Sequence, residues 1–437
     1  MLVSNYTFTV YNGKDFFLYN SLSNALLQVD EDTYHRFLSA KQQKGHLDES
    51  GFCEDERDVL KRKCFVCENQ EDDFLLYRSK IQQLREQRQY MHLTIAPTMN
   101  CCFKCYYCFE HQKHNTYINE ECLDAIIQYI LKQKELEKIN LTWFGGEPLM
   151  AQPQIKMFHE KLIENKIDIS NTNIITTGYH IDKDTLSLFK YIGLSSIQIT
   201  LDGSKEEHNR IKHFSGCDDV FERIMENISL VLNDAPNIHV SIRVNITRHN
   251  MNSFPEIFNF LSLRFQSKNI SVTPAIVKNK MVKNENLSSF LSNKEFFQFI
   301  MDLYYKYGIV TPFIEYPQNQ ICECAIRDKM AISFDPEGNA YKCWEKIGDK
   351  KYAIGKINKT GILENINIKE LNRELYGADP MLDSTCSKCS FLPICNGGCP
   401  IERIQKQFEN KVINTCTFCK EDFGSYLAAN INQRWKL

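Results

Sequence analysis

The stretch Cys101-Cys102-Phe103-Lys104-Cys105-Tyr106-Tyr107-Cys108 decides how this chain is read. Cys101, Cys105 and Cys108 stand in a C-x3-C-x2-C spacing, short enough for one loop to turn three thiolates toward one compact iron–sulfur core. A four-iron cluster ordinarily takes four cysteines, so three leave one iron with an open position. An open position on a metal is where a small molecule binds and reacts. Short cysteine groups in an intracellular chain point to metal or redox chemistry; a loop of reduced structural thiols is the alternative. Cys102 points elsewhere if its neighbours hold iron, and is read as structural.

Composition sets the bounds. The length of 437 residues fits roughly three domains, and 43% hydrophobic residues are enough to bury a full core. A formal charge of -3, with 52 basic and 55 acidic residues interspersed, leaves no basic field for nucleic acid. The N-terminus, Met1 to Tyr6, lacks the charged and apolar regions of a signal peptide. No apolar run approaches the ~20 residues needed to cross a membrane. The expected location is the cytoplasm, where eighteen cysteines would be odd as disulfides and their clustered spacing points to metal.

The segment Ala96-Pro97-Thr98-Met99-Asn100 running into Cys101 to Glu110 resembles the cluster loop of radical S-adenosylmethionine (SAM) enzymes. The resemblance implies that SAM chelates the open iron through its amino and carboxylate groups. Reductive cleavage then gives a 5'-deoxyadenosyl radical that abstracts hydrogen from substrate, with a flavodoxin or ferredoxin as electron donor. The protein's part is to position and shield. Tyr107 stands where the family has an aromatic residue whose backbone meets the adenine.

Residues 1–90 read as a separate unit. Tyr6–Tyr11, Asn12-Gly13 and Phe16–Tyr19 predict a hairpin with a tight turn. Ser21–Leu27 and Glu31–Leu38 look helical or mixed, with Asp30 as N-cap of the second, and Glu54–Lys63 looks helical. The order resembles the small winged-helix domain with which peptide-modifying enzymes grip a precursor peptide, pairing an extended segment with a strand edge. A structural cap is the alternative. Cys53, Cys64 and Cys67 also lie here, the last two read as core thiols.

Residues 91–280 alternate strand and helix signals. Strands are expected at His92–Ala96, Asn140–Phe144, Asn173–Thr177, Ser196–Leu201, His239–Ile246 and Ile270–Ala275, with amphipathic helices such as Glu120–Gln133 between them. Six such units make the partial (β/α)6 TIM-like barrel that the family implies, with ligands at the carboxyl ends of the strands. Phe144-Gly145-Gly146-Glu147-Pro148 resembles the family's loop that contacts the SAM amino group. Glycines admit close backbone approach. Thr177 occupies the place of a threonine-asparagine-glycine turn that lacks its asparagine here, and Arg243 and Asn245 match the strand reaching the SAM carboxylate and ribose. An Arg in an apolar strand requires an anionic partner, either SAM or a barrel carboxylate. Asp202, in Thr200-Leu201-Asp202-Gly203, is a candidate acid or base, or simply a turn former.

Residues 281–321 read as a linker with a helix near Lys294–Tyr307. In 322–437, Cys324, Gly338, Cys343, Cys386, Cys389, Cys395, Cys399 and Cys416 resemble the seven-cysteine SPASM domain found in radical SAM enzymes that modify peptides or proteins. The resemblance implies two auxiliary four-iron clusters. The first takes Cys324, Cys343 and Cys399 with Cys322 as fourth candidate; the second takes Cys386, Cys389, Cys395 and Cys416, with Cys419 able to replace Cys416. Structural zinc is the alternative, since C-x2-C pairs bind zinc well. The functional expectation is an enzyme with three four-iron clusters and SAM that crosslinks a ribosomally made precursor peptide. An anaerobic sulfatase maturase forming formylglycine, and a non-catalytic zinc or iron–sulfur scaffold, are the rivals.

Overall fold

The structure is a computed structural model that describes residues 1–43, 45–108, 110, 115–213, 219–267, 269–278, 289–315, 324–416, 420 and 422–435. They divide into two compact units that do not follow chain order: residues 1–86, 292–324 and 376–437 form one, and residues 87–291 and 325–375 the other.

In the first unit, β1 (Leu2–Val3) pairs with β5 (Val66–Cys67), and β2 (Thr7–Tyr11), β3 (Phe16–Asn20) and β4 (Ala25–Val29) form an antiparallel meander. The expected hairpin is present. Gly13 takes φ +98°, and Asn12 Oδ1 accepts from Lys14 N at 3.0 Å and Asp15 N at 2.8 Å, an Asx turn that needs a permissive residue beside it. Ser21–Leu27, read as helical or mixed, is a turn that leads into a strand. Asn20 Oδ1 accepts from Leu22 N and Ser23 N, Asn24 sits at φ +55°, and the chain reverses into β4. Helix α1 (Glu31–Gln42) is capped by Asp30, whose side chain accepts from Thr33 N. Helices α2 (Glu54–Arg62) and α3 (Gln70–Glu86) follow.

Leu18, Phe37, Phe52, Leu60 and Phe65 make one core of this unit. Tyr6, Leu22, Tyr77 and Ile81 make a second together with Met381 and Leu392 from the C-terminal segment. Arg85 pairs with Asp379 at 2.5 Å with both side chains largely buried, and Tyr77 bonds Asn396 at 2.9 Å. The N-terminal residues therefore share their interior with the cysteine-rich segment.

In the second unit, β6 (Tyr90–Ile95), β7 (Lys138–Trp143), β8 (Ile169–Thr176), β9 (Leu194–Leu201), β10 (His239–Ile246) and β11 (Ile270–Ile276) run parallel in sequential order. Helices α4 (Glu120–Leu131), α5 (Gln152–Glu164), α6 (Lys183–Tyr191), α7 (Lys205–Ile211), α8 (Val220–Asp234) and α9 (Phe254–Arg264) connect them. This is the partial (β/α)6 barrel. On α4 the stripe Leu123, Ile126, Ile127 and Ile130 is buried as its helical spacing requires.

The strands alternate apolar and polar faces. Val240, Ile242, Val244 and Ile246 of β10 are wholly buried, while Ser241, Arg243 and Asn245 occupy the other face, in register with Gln198 and Thr200 of β9. A polar face on a central parallel sheet is costly unless it meets polar partners or a ligand. Beyond β6 the sheet continues with β12 (Ala331–Phe334), parallel to it, then the antiparallel β13 (Asn339–Tyr341), β14 (Gly355–Ile357) and β15 (Leu363–Glu364). Among the described residues no helix is long and apolar enough to cross a membrane.

Candidate functional site

The cysteine loop leaves the C-terminal end of β6 and is tied at its base. Thr98 Oγ1 donates to Thr116 O at 2.8 Å, Ile118 N donates to Pro97 O at 2.8 Å, and Thr98 bridges Tyr117. Wholly buried Phe103 anchors the middle of the loop against Tyr179. Cys108 N donates to Cys105 O at 3.1 Å, closing a turn between the last two thiols, and Phe103 N donates toward Cys101 Sγ at 3.5 Å. Cys102 hydrogen bonds Cys101, and that bond together with burial raises its thiol far above the ordinary range.

The Gly-Gly-Glu-Pro loop is bonded to both flanks of the cysteine loop. Glu147 N donates to Asn100 O at 2.7 Å, and Gly146 N donates to Glu110 Oε2 at 2.8 Å. A Cβ on Gly146, at φ +49°, would lie 2.2 Å from Asn100 O; one on Gly145, at φ +83°, would lie 2.4 Å from Ala96 Cβ. The absence of side chains thus serves contact between two loops. Glu147 is wholly buried and both its oxygens are engaged. Oε1 accepts from Thr176 Oγ1 at 2.6 Å and Leu149 N at 3.0 Å, and Oε2 accepts from Thr177 N at 2.8 Å and from Thr177 Oγ1. Glu147 and Thr177 therefore meet each other, and buried Pro148 starts the short turn after them.

Inside the barrel a polar chain runs across β9 and β10. Arg243 Nε donates to Asn245 Oδ1 at 3.2 Å, and Asn245 Nδ2 donates to Asp202 Oδ1 at 3.1 Å. Asp202 also accepts from the Tyr107 hydroxyl and pairs with Lys212 Nζ. Asp202 and Lys212 are 1% and 2% exposed. Burial opposes charge on both, yet Lys212 and His208 hold the Asp202 carboxyl below its usual range, while Asp202 and the thiols of Cys105 and Cys101 hold the Lys212 ammonium above its own. Burial pushes the Tyr107 phenol well up, with Asp202 adding to the shift. Asp202 is thus more than a turn former: it is the anion of a buried ion pair beneath the cysteine loop. His208, wholly buried, accepts from Asp202 N at 3.3 Å, and burial lowers it to about 3.

Lys212 escaped the sequence reading, since a single lysine in a polar run carries no spacing signal. Arg243 has no carboxylate in ion-pair contact among the described residues. Burial lowers its basicity, while Tyr107 and Glu345 face it electrostatically. Tyr106, Tyr107, Asp202, Arg210, Asn245 and His249 are among the residues lining a small pocket open to solvent.

Beside this site, Trp344 stacks on Phe144 at 5.7 Å while remaining 45% exposed, and Met99, Tyr341 and Ile347 pack beneath. Cys343 precedes that tryptophan in the second unit; Cys324 and Cys399 belong to the first, and Cys322 and Cys419 lie outside the described residues.

Cys386, Cys389, Cys395 and Cys416 all belong to the first unit. Cys389 N donates to Cys386 O at 2.9 Å, and the ammonium of exposed Lys420 is held up by Cys389, Cys416 and Cys386 against a slight desolvation. Cys395 acts electrostatically on Cys386. Among the described residues no three His, Cys, Asp or Glu side chains close on a single metal ion.

Residues 95–261 match the family model of the Radical SAM superfamily. A cysteine-type anaerobic sulfatase-maturating enzyme of Clostridium novyi is 24% identical over 375 residues, covering 78% of this chain and 96% of the relative. Among solved structures, native anSMEcpe with bound AdoMet and Cp18Cys peptide superposes with a TM-score of 0.59 at 17% identity, covering 79% of this chain and 98% of that one. Streptococcus suis SuiB bound to S-adenosylmethionine gives 0.54 at 16% identity, covering 96% of this chain and 100% of that one. Residues 95–261 thus carry a radical SAM domain, and the chain has maturases among its relatives.

Proposed function

We propose that this radical SAM enzyme installs an intramolecular crosslink, thioether or carbon–carbon, in a ribosomally made precursor peptide. The observation that carries the reading is the N-terminal meander. Strand β4 pairs with β3 on one side and with no strand on the other among the described residues, the kind of edge to which an extended peptide adds. Likeness to SuiB runs over 96% of the chain, against 79% for anSMEcpe, a shortfall about as large as residues 1–86. The relative from Clostridium novyi keeps formylglycine formation as the second reading.

The residues present fit SAM and its cluster. Three thiols share a loop with a buried ammonium beside them, and an arginine with no carboxylate in ion-pair contact among the described residues stands in a polar barrel interior. Bound at an open iron of a cluster on Cys101, Cys105 and Cys108, SAM supplies a radical able to take hydrogen from an unactivated carbon. The main chain of Gly145, Gly146 and Pro148 and the backbone of Tyr107 would border it. Arg243 would meet its carboxylate, and Asn245 its ribose. Glu147 and Thr177 act through each other, holding the glycine turn in place, while Asp202 and Lys212 keep the barrel floor charged and dry. Cys386, Cys389, Cys395 and Cys416 would hold the second auxiliary cluster, and a ferredoxin or flavodoxin would supply electrons.

The test is anaerobic incubation of reconstituted protein with dithionite, SAM, short peptides encoded beside its gene and a sulfatase-derived cysteine peptide. A product two hydrogens lighter and inert to hydrazide supports the crosslink. A hydrazide-reactive aldehyde supports formylglycine. Formation of 5'-deoxyadenosine with neither product overturns both.

A further inference from the structure

Arg403, on the helix Pro400–Phe408, is 6% exposed, and each nitrogen of its guanidinium is engaged. Nε donates to Ala378 O at 2.7 Å, Nη2 pairs with Asp383 at 3.0 Å, and Nη1 reaches Gly397 O at 3.4 Å and Cys386 Sγ at 3.3 Å. Asp383 in turn accepts from Thr385 N and Cys386 N at 2.8 and 3.1 Å, so one arginine–aspartate pair grips both the backbone and the sulfur of this cysteine. A second cation, the exposed Lys420, hydrogen bonds Cys389.

We propose that Arg403 is a redox-positioning residue. Its hydrogen bond to Cys386, reinforced by Lys420 at Cys389, raises the reduction potential of the cluster held by Cys386, Cys389, Cys395 and Cys416. This rests on the reading that these four thiols hold a cluster. Reduction adds negative charge to an already anionic thiolate-bound core. A buried guanidinium bonded to one ligand sulfur stabilises the reduced state more than the oxidised one, because hydrogen bonds to the sulfurs and burial set such potentials. The centre is thereby poised to accept an electron rather than supply one.

The test is a redox titration followed by electron paramagnetic resonance on the full-length, reconstituted chain. Cys101, Cys105 and Cys108 are replaced by Ala so that only auxiliary centres report. Arg403→Gln is expected to move the midpoint of one signal to a more negative potential and leave any other in place. Arg403→Lys, which keeps the charge but shortens the donor, moves the same signal less. Lys420→Gln, a surface change that spares folding if Arg403→Gln does not, moves it in the same direction. Wild-type midpoints in Arg403→Lys and Lys420→Gln with the signal intact overturn the inference. If Cys389→Ala leaves the iron content of the protein unchanged, the cluster assignment itself falls, a distinct failure from an intact centre with an unmoved potential.

Discussion

Gly146→Ala is the sharpest perturbation of the joint between the two loops. The glycine holds φ +49°, and a left-handed conformation costs a side-chain-bearing residue roughly 1–2 kcal/mol. The added Cβ would meet Asn100 O at 2.2 Å, where contact distances of about 3.5 Å are normal, so the loops must part by about an ångström. The neighbour is backbone and cannot rotate aside. Parting weakens the Glu147 N to Asn100 O bond and the charge-assisted Gly146 N to Glu110 bond, about 1 and 1.5–3 kcal/mol respectively. A displacement of that size beside reacting groups costs on the order of 100-fold in rate.

The assay is 5'-deoxyadenosine formation by anaerobically reconstituted protein, with iron content measured in parallel. The expected result is a loss of about 100-fold or more, with or without loss of iron. Gly193→Ala is the control, since Gly193 also has positive φ, +59°, but its Cβ would meet nothing within 4 Å. It should cost strain alone and leave SAM cleavage unchanged. Wild-type cleavage by Gly146→Ala would refute the claim that these glycines serve loop contact.

Asp202→Asn leaves the Lys212 ammonium buried without its anion, an expected loss of about 3–5 kcal/mol in urea unfolding; adding Lys212→Met should recover much of it, and purely additive losses would count against the pair. Burial holds His208 down to about 3 and His159 to about 4, against about 6.5 in an unfolded chain. The unfolded chain then binds more protons in that interval, so this stability is complete above about pH 6.5 and is lost as pH falls through 4 and 3. Urea midpoints should drop on acidification, and His159→Gln, which still accepts from Trp143 Nε1, should flatten the slope. Trp344→Ala removes an exposed ring beside the Gly-Gly loop. KM for the peptide should rise roughly tenfold, the order of one aromatic contact, while peptide-independent SAM cleavage stays unchanged; the reverse pattern would place the ring in SAM binding instead.

The features legible in the sequence were those whose signal is local. The cysteine spacing, the Gly-Gly-Glu-Pro turn and the apolar stripe of α4 each reflect a constraint that acts within a few residues. Long-range pairing left no such mark. Nothing near Ala331 announces that β12 will lie parallel beside β6, so the placing of residues 325–375 with the barrel could not be read from them. Ser21–Leu27 has a helix-compatible pattern that the Asn20 turn overrides. Glu147 was legible as a functional acid but not as the acceptor of four bonds from neighbouring turns, because its Thr176 and Thr177 partners come from the next strand.

The shared core of the first unit changes how the N-terminal residues should be probed. Tyr6, Leu22, Tyr77 and Ile81 bury Met381 and Leu392, with half-buried Cys386 packed against the same cluster. Phe8 meets Phe391 edge-on at 5.1 Å and Phe423 at a tilt at 4.9 Å. Deleting residues 1–86 would bare this surface and remove the Arg85–Asp379 pair, so loss of peptide modification in such a deletion would report a damaged cysteine segment as readily as a missing peptide grip. Substitutions confined to solvent-facing positions separate the two. Gln28 on β4 is exposed and belongs to neither core cluster. Placing a charge there, as in Gln28→Glu, should weaken peptide binding while leaving iron content and peptide-independent SAM cleavage intact. If instead both fall together, the meander serves the cysteine segment as a structural partner and the peptide is gripped elsewhere.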